Sequence, residues 1–281
     1  MQHVVIVGTG LIGSSFGLAL RQAGFDGAIT GVSSPPAIAG ALAVGAIDKG
    51  ASLASAVPDA DLVFLSQTIG RILDTIRHLD PLLQPGTLVT DAGSTKCAIV
   101  DLARQTLTRA QFLGGHPMAG KETRGAAVAD PDLFRGRTWI LTPDEDSELH
   151  TSAALEFRMW LHRFGARVLT LDADEHDRVV SLTSHLPQLA STALAATVSD
   201  KLGGPPRLQA AGPGLEDMTR LAMGSYEIWR DILATNSDHI ERALGLYIQK
   251  LEHMRENLRT RQMQEEFERG AALAAQLRRP R

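Results

Sequence analysis

The sequence has little that would place it outside a reducing compartment. Cys97 is its single cysteine among 281 residues, so no internal disulfide can form. No apolar run reaches the roughly 18 residues that a membrane-spanning helix needs. The opening residues MQHVVIVGTG lack the basic and long apolar segments of a signal peptide. A cytoplasmic protein without membrane contact is therefore expected. Positive charge is also not in excess. The formal net charge of -4 excludes an overall basic footprint for nucleic acid. Internal repeats and low-complexity runs are absent. What remains is a globular composition, 44% hydrophobic and 21% charged, in a chain long enough for two domains.

The first half alternates between two periodicities. HVVIVG is a β-branched run of the kind buried on both faces of a parallel sheet. LIGSSFGLALRQAGF follows with helical spacing, then AITGVS reads as a strand and PAIAGALAVGA as a helix opened by prolines. DLVFLSQ, GTLVTDAGS, QFLGGH, RTWILTP and RVLTLD are five further strands, and helices separate most of them. Strands alternating with helices define βαβ units, which predicts a Rossmann-type α/β domain with a mostly parallel sheet over residues 1–171.

After Leu171 the strand signal ends. Residues 172–281 read as an all-α domain. Asp172 and Glu175 are placed as a capping pair, Pro187 is expected to kink the helix that follows, and GGPPRLQAAGPG is a break. Two or three helices are expected beyond it. In the long one, Leu244, Tyr247, Ile248, Leu251, Met254 and Leu258 form an apolar stripe, suited to core packing or to a helical dimer interface.

GTGLIG matches G-x-G-x-x-G between a strand and a helix, which is the context a dinucleotide site requires. Gly8 permits the tight turn, Gly10 lets a pyrophosphate approach, and Gly13 lets the helix pack on the strand. Leu11 and Ile12 open the helix whose free N–H groups face the phosphates. An NAD site usually has an acid at the end of the second strand. Here Ser33 and Ser34 stand in that region, and without a carboxylate to repel a 2′-phosphate the balance favours NADP over NAD.

Two loops leave strand ends where such sheets bind ligands, TDAGSTK and GGHPMAGKETRG. His116 in the second suits the removal of a hydroxyl proton at neutral pH, and the glycines and Pro117 are expected to end the strand and stiffen the turn that presents it. Ser94 in the first either orients that reaction or caps the next helix.

GTGLIGSSFGLALR, TDAGSTK, GGHPMAGKETRG, LFRGRTWILTP, HDRVVSLTSHLPQLAS, GLEDMTRLA and WRDILATN occur in the order found in the prephenate/arogenate dehydrogenase family of tyrosine biosynthesis. The chain resembles that family from residue 1 to roughly 255. The resemblance implies NAD(P)-dependent oxidation of a ring alcohol with loss of carbon dioxide, giving 4-hydroxyphenylpyruvate from prephenate or tyrosine from arogenate. It assigns catalysis to His116 and Ser94, and the grip on the ring carboxylate to Arg220. It places Glu122, Asp217, Trp229, His176 and His185 near the substrate, some of them contributed in certain members by a partner subunit. A small-molecule substrate and a homodimer built through the helical domain are implied, with no metal. His176 and His185, nine residues apart, would face opposite ways on a straight helix, which also argues against a metal pair.

The sequence departs from the pattern at Ser66 and Gln67, where many relatives have a proline-containing turn beside the cofactor. It also carries Gln188 where prephenate-using members often have histidine; glutamine offers both donor and acceptor and excludes neither substrate. Neither a regulatory ACT domain nor a fused chorismate mutase is expected within these residues. A β-hydroxyacid or imine dehydrogenase would place a lysine on the long helix after the first domain, but none precedes Lys201 there. A non-catalytic dinucleotide sensor would be expected to lack Ser94, His116 and Arg220.

Overall fold

A computed structural model describes residues 1–121, 123–260 and 262–279, with the backbone alone at 205 and 206. Glu122, expected near the substrate, lies outside the described residues. The strands are β1 (His3–Val7), β2 (Ala28–Val32), β3 (Lys49–Gly50), β4 (Leu62–Leu65), β5 (Leu88–Asp91), β6 (Gln111–Pro117), β7 (Thr138–Thr142) and β8 (Arg167–Thr170). They form one sheet in the order β3-β2-β1-β4-β5-β6-β7-β8. Pairing is parallel except between β6 and β7, which are antiparallel. The helices of this half are α1 (Leu11–Gln22), α2 (Pro35–Ala43), α3 (Leu53–Ala56), α4 (Ile69–Leu79), α5 (Cys97–Thr106) and α6 (Ser152–Arg163).

Alternation along the central strands divides the core into two layers. Val4 and Ile6 face one side with Phe16, Phe64, Trp139 and Phe157, and Val5 and Val7 face the other with Ile69, Ile72 and Ile76. On the first side Phe16 and Phe64 lie 4.3 Å apart between ring centroids, with Trp139 6.0 Å from each. Each such fully buried side chain contributes about 1.5–3 kcal/mol.

The strand reading is corrected in two places. The two-residue β3 carries no periodic signal and forms because Thr30 and Gly31 of β2 pair with Lys49 and Gly50. The strand read as QFLGGH runs one residue further, through Pro117, which was expected in the turn. Residues 111–113 of β6 pair with β5, and residues 114–117 pair instead with β7. Pro117 is tolerated because it ends the strand, where a missing N–H costs little.

The helical half comprises α7 (Ala173–Val180), α8 (Leu186–Leu202), α9 (Pro205–Leu208), α10 (Pro213–Thr219), α11 (Tyr226–Thr235), α12 (Ser237–Asn257) and α13 (Gln264–Leu277). Among the described residues the Gly/Pro break thus contains a short helix, and four rather than two or three follow it. Asp172 caps α7 by accepting from Glu175 N at 2.8 Å. Between α7 and α8 the chain makes a π turn, Ser181–His185. Pro187 cannot donate to the carbonyl four residues back, Thr183, and the wider turn accommodates that missing bond without breaking the helix.

Two carboxylates of this half cap helices of the first. Asp177 accepts from Lys96 N at 2.7 Å and Cys97 N at 3.0 Å, at the start of α5. Asp231 accepts from Gly70 N at 3.0 Å, at the start of α4. Both set an anion at the positive end of a helix. Among the described residues no helix is long and apolar enough to cross a membrane.

Candidate active site

The glycine turn sits where the sheet order reverses, between β1 and β4. Gly8 has φ +98°, and a side chain there would also lie 2.8 Å from Ser66 O. The Ser66 hydroxyl donates to Gly8 O at 2.6 Å, so this serine ties the end of β4 to the turn. A Cβ on Gly13 would collide with Gly8 O and the Ser66 hydroxyl, whereas one on Gly10 would enter open space. Helix α1 has no side-chain cap and no acid in its first turn. An open approach at Gly10 and uncapped N–H groups at Leu11 and Ile12 fit a pyrophosphate. Ser33 and Ser34 lie exposed at the end of β2. The Gln67 amide oxygen accepts from Thr75 at 2.9 Å, a bond internal to the protein.

A cavity of about 820 Å³ opens beside the end of β6. Ser94, His116, Gln188, Arg220 and Trp229 line it together, although the chain separates Ser94 and Trp229 by nearly half the sequence. His176 stands behind His116. His185 is fully buried and Asp217 is exposed, and neither is on this wall. The alternative role of Ser94 as a helix cap is not taken up: Lys96 holds the cap position of α5, and Asp177 supplies the anion.

Hydrogen bonds fix the protonation of the histidines. His176 Nδ1 lies 2.7 Å from Asp177 Oδ1, and a carboxylate only accepts, so His176 Nδ1 carries the proton. Neutral His176 then has a lone pair on Nε2, which accepts from His116 Nδ1 at 2.8 Å. This leaves the lone pair of His116 on Nε2, the arrangement of a base. Burial, then His176, Lys96 and His185, push the His116 imidazole well below its ordinary pKa. His176 is lowered too, by burial, against the pull of Asp177. Burial raises the Asp177 carboxyl, but the bonds from His176, Cys97 and Lys96 outweigh it and hold that group below the usual carboxylate range. The same carboxylate adds to burial in pushing the Cys97 thiol up to about 12, which removes it as a nucleophile.

The π turn alters the straight-helix geometry expected for His176 and His185. Asn236 Nδ2 donates to Asp177 O at 2.8 Å and lies 3.3 Å from His185 Nδ1. His176 also lowers the His185 pKa. Burial is the larger cause, and His185 falls to about 4. Its ring meets Trp229 edge to face at 5.8 Å. Gln188 donates both amide hydrogens within the protein, to Leu221 O at 2.8 Å and Thr192 Oγ1 at 3.2 Å, so its amide oxygen is the end it can offer a ligand.

Sequence reasoning assigned no role to Asp177, Lys96 or Asn236. Asp177 had a signal: it directly follows His176. Asn236, at the end of α11, had none.

A glycine turn open to a pyrophosphate, with a buried base at a nearby strand end, defines the class of dinucleotide-dependent dehydrogenases. Comparison with known proteins narrows this. A model described as the nucleotide-binding domain of prephenate dehydrogenase matches residues 16–170, and one described as its dimerization domain matches residues 172–272. The prephenate dehydrogenase of Lactococcus lactis is 35% identical over 85% of this chain and 66% of its own length. That of Bacillus subtilis is 35% identical over 90% and 69%. This chain thus spans about two thirds of each. The crystal structure of prephenate dehydrogenase from A. aeolicus with hydroxyphenyl propionate and NAD+ is 30% identical, with a TM-score of 0.86 over 98% of this chain and 97% of that one. The chain belongs to the prephenate dehydrogenase family, whose members are NAD(P)-dependent oxidoreductases.

Proposed function

We propose that the protein oxidises the ring alcohol of prephenate with NAD(P) and releases carbon dioxide, forming 4-hydroxyphenylpyruvate. The observation that carries this reading is the hydrogen-bonded run Asp177–His176–His116, ending on a cavity that Ser94 and Arg220 also line. When bound, the nicotinamide accepts the hydride from the carbon bearing the hydroxyl. His116 Nε2 takes the hydroxyl proton, and the charge it gains is stabilised through His176 by Asp177. Ser94 keeps the hydroxyl aligned. Arg220 holds the ring carboxylate, for which a guanidinium fork is matched. The new ketone draws the electron pair of the carboxylate-bearing bond into the ring, so carbon dioxide leaves and the ring becomes a phenol.

Gln188 favours a second reading. Its available amide oxygen accepts but cannot donate, which suits the side-chain ammonium of arogenate better than the keto group of prephenate. Ser33 and Ser34, in place of an acid after β2, favour NADP. The apolar side chains left open along α12, in the part matched by the dimerization domain, favour a homodimer, and the single cysteine, Cys97, fits a reducing cytoplasm.

Turnover of prephenate and arogenate, each with NAD and with NADP, tests the whole reading. Activity is expected in at least one mixture, with NADP preferred. Four inactive mixtures would remove the assignment.

A further inference from the structure

We propose that Lys96, paired with Asp91, is a positioning residue of this reaction: together they stand in for a missing neighbour strand and fix the Gly115 peptide, on which His116 is carried. The inference rests on the assignment of His116 as the base.

The backbone of β5 pairs with β6 only as far as Thr90 and Leu113. Two residues further, Gly115 lies past the end of that ladder, and side chains make its bonds on that side. Gly115 N donates to Asp91 Oδ1 at 3.0 Å, and Lys96 Nζ donates to Gly115 O at 2.8 Å. The two side chains are ion-paired to each other and fully buried. Asp91 is oriented further by Gly93 N, which donates to its Oδ2 at 2.8 Å. Only glycine fits the clamp, since a Cβ at 115 would come within 2.6 Å of Asp91 O and 3.1 Å of Trp139 Nε1.

Lys96 also reaches His116 by a second route. Its backbone N–H donates to Asp177 Oδ1, the oxygen that accepts from His176. One residue therefore holds the peptide preceding the base and the carboxylate that orients the base's partner. A buried ion pair adds little to stability over a well-packed apolar pair, so stability alone does not account for placing one here. Misplacing a reacting group by about 1 Å can cost 10²-fold in rate.

The Lys96 cation also acts on the imidazole electrically. Other titratable groups around His116 are Asp91 on the β5 side, His176 and Asp177 on α7, and His185 in the π turn. The far wall of the cavity carries the pairs Lys121–Asp130 and Arg135–Asp132, with Arg124, Arg137 and Arg220. Lys96 opposes protonation of His116, so removing its charge moves the His116 titration to higher pH.

The test is the double variant Asp91→Asn/Lys96→Met, which removes both charges and strands neither. We expect kcat to fall about ten- to hundred-fold with KM within about two-fold. We also expect the NMR titration of the labelled His116 ring, followed without substrate, to move upward. Wild-type kcat or an unmoved titration in the folded variant overturns the proposal. So does a variant that cannot fold, because the pair would then serve stability. Should the unmodified protein turn over neither substrate, the assigned reaction fails, and the ring titration alone decides this inference.

Discussion

In the first half, Phe16, Phe64 and Trp139 are fully buried against one another; along α12 and α13, Leu246, Ile248, Leu251, Phe267 and Leu273 remain open, as does Leu258 just past α12. Both halves have apolar residues at regular spacing, but only the first closes a core of its own. The second contributes Ile232 and Ile240 to the first half's lower layer and turns its remaining apolar face outward. The chemistry divides in a similar way. The cofactor turn and His116 lie in the half with the closed core, whereas Gln188, Arg220 and Trp229 come from the half with the open face. The proposed base thus lies in the half with the closed core, and most of the proposed substrate contacts lie in the half with the open apolar face.

Five measurements press on that division. The largest effect belongs to the base: His116→Asn is expected to lower kcat by about 10²–10⁴ while leaving cofactor binding nearly unchanged. Normal kcat would reduce His116 to a structural role. Its counterpart across the cavity, Arg220→Gln, is expected to act on KM, since the clamp serves ground and transition states alike. Next comes stability. Phe64→Ala should cost about 3–5 kcal/mol by emptying a closed core, and a loss under about 1 kcal/mol in a denaturant titration would contradict the packing described.

The pH dependence of stability has its sign set by His185. Its folded pKa is about 4, and its unfolded value is about 6.5. Above pH 6.5 it is neutral in both states. As pH falls from there toward 4 only the unfolded chain takes up the proton, so stability drops by about 3 kcal/mol over that window. His185→Gln should flatten the fall, as read by melts from pH 7 to pH 4. The smallest effect on the fold itself is expected from Leu251→Glu on α12. It should leave the unfolding free energy of one chain within about 0.5 kcal/mol yet shift the sedimentation mass from two chains to one. A mass of one chain before substitution would refute the proposed homodimer.

The fold was largely legible because buried parallel strands announce themselves by continuous β-branched runs such as VVIV and LVFL. Strand direction was not legible: RTWILTP reads the same whichever way it pairs, and β7 proves antiparallel to β6. Nor was β3, which exists only through its neighbour. At the candidate site, Ser94 and His116 stood out because their chemistry at strand ends matches a step of the reaction, whereas Arg220 stood out only through the family resemblance. Lys96 did not, because a lysine in a loop ordinarily points to water, and only the structure places it at zero exposure beside Asp91. The π turn was hidden for a different reason. Pro187 marks a disturbance in a helix, but a kink, a break and a widened turn share that mark.

The caps that Asp177 and Asp231 place on α5 and α4 also bear on how molecules enter and leave. They act as latches between the halves. Swinging the halves apart would strip both helix ends of their anions, at about 1 kcal/mol for each cap. The cavity wall includes the exposed Met223 and Ile228, so the cavity meets solvent while both latches stay closed.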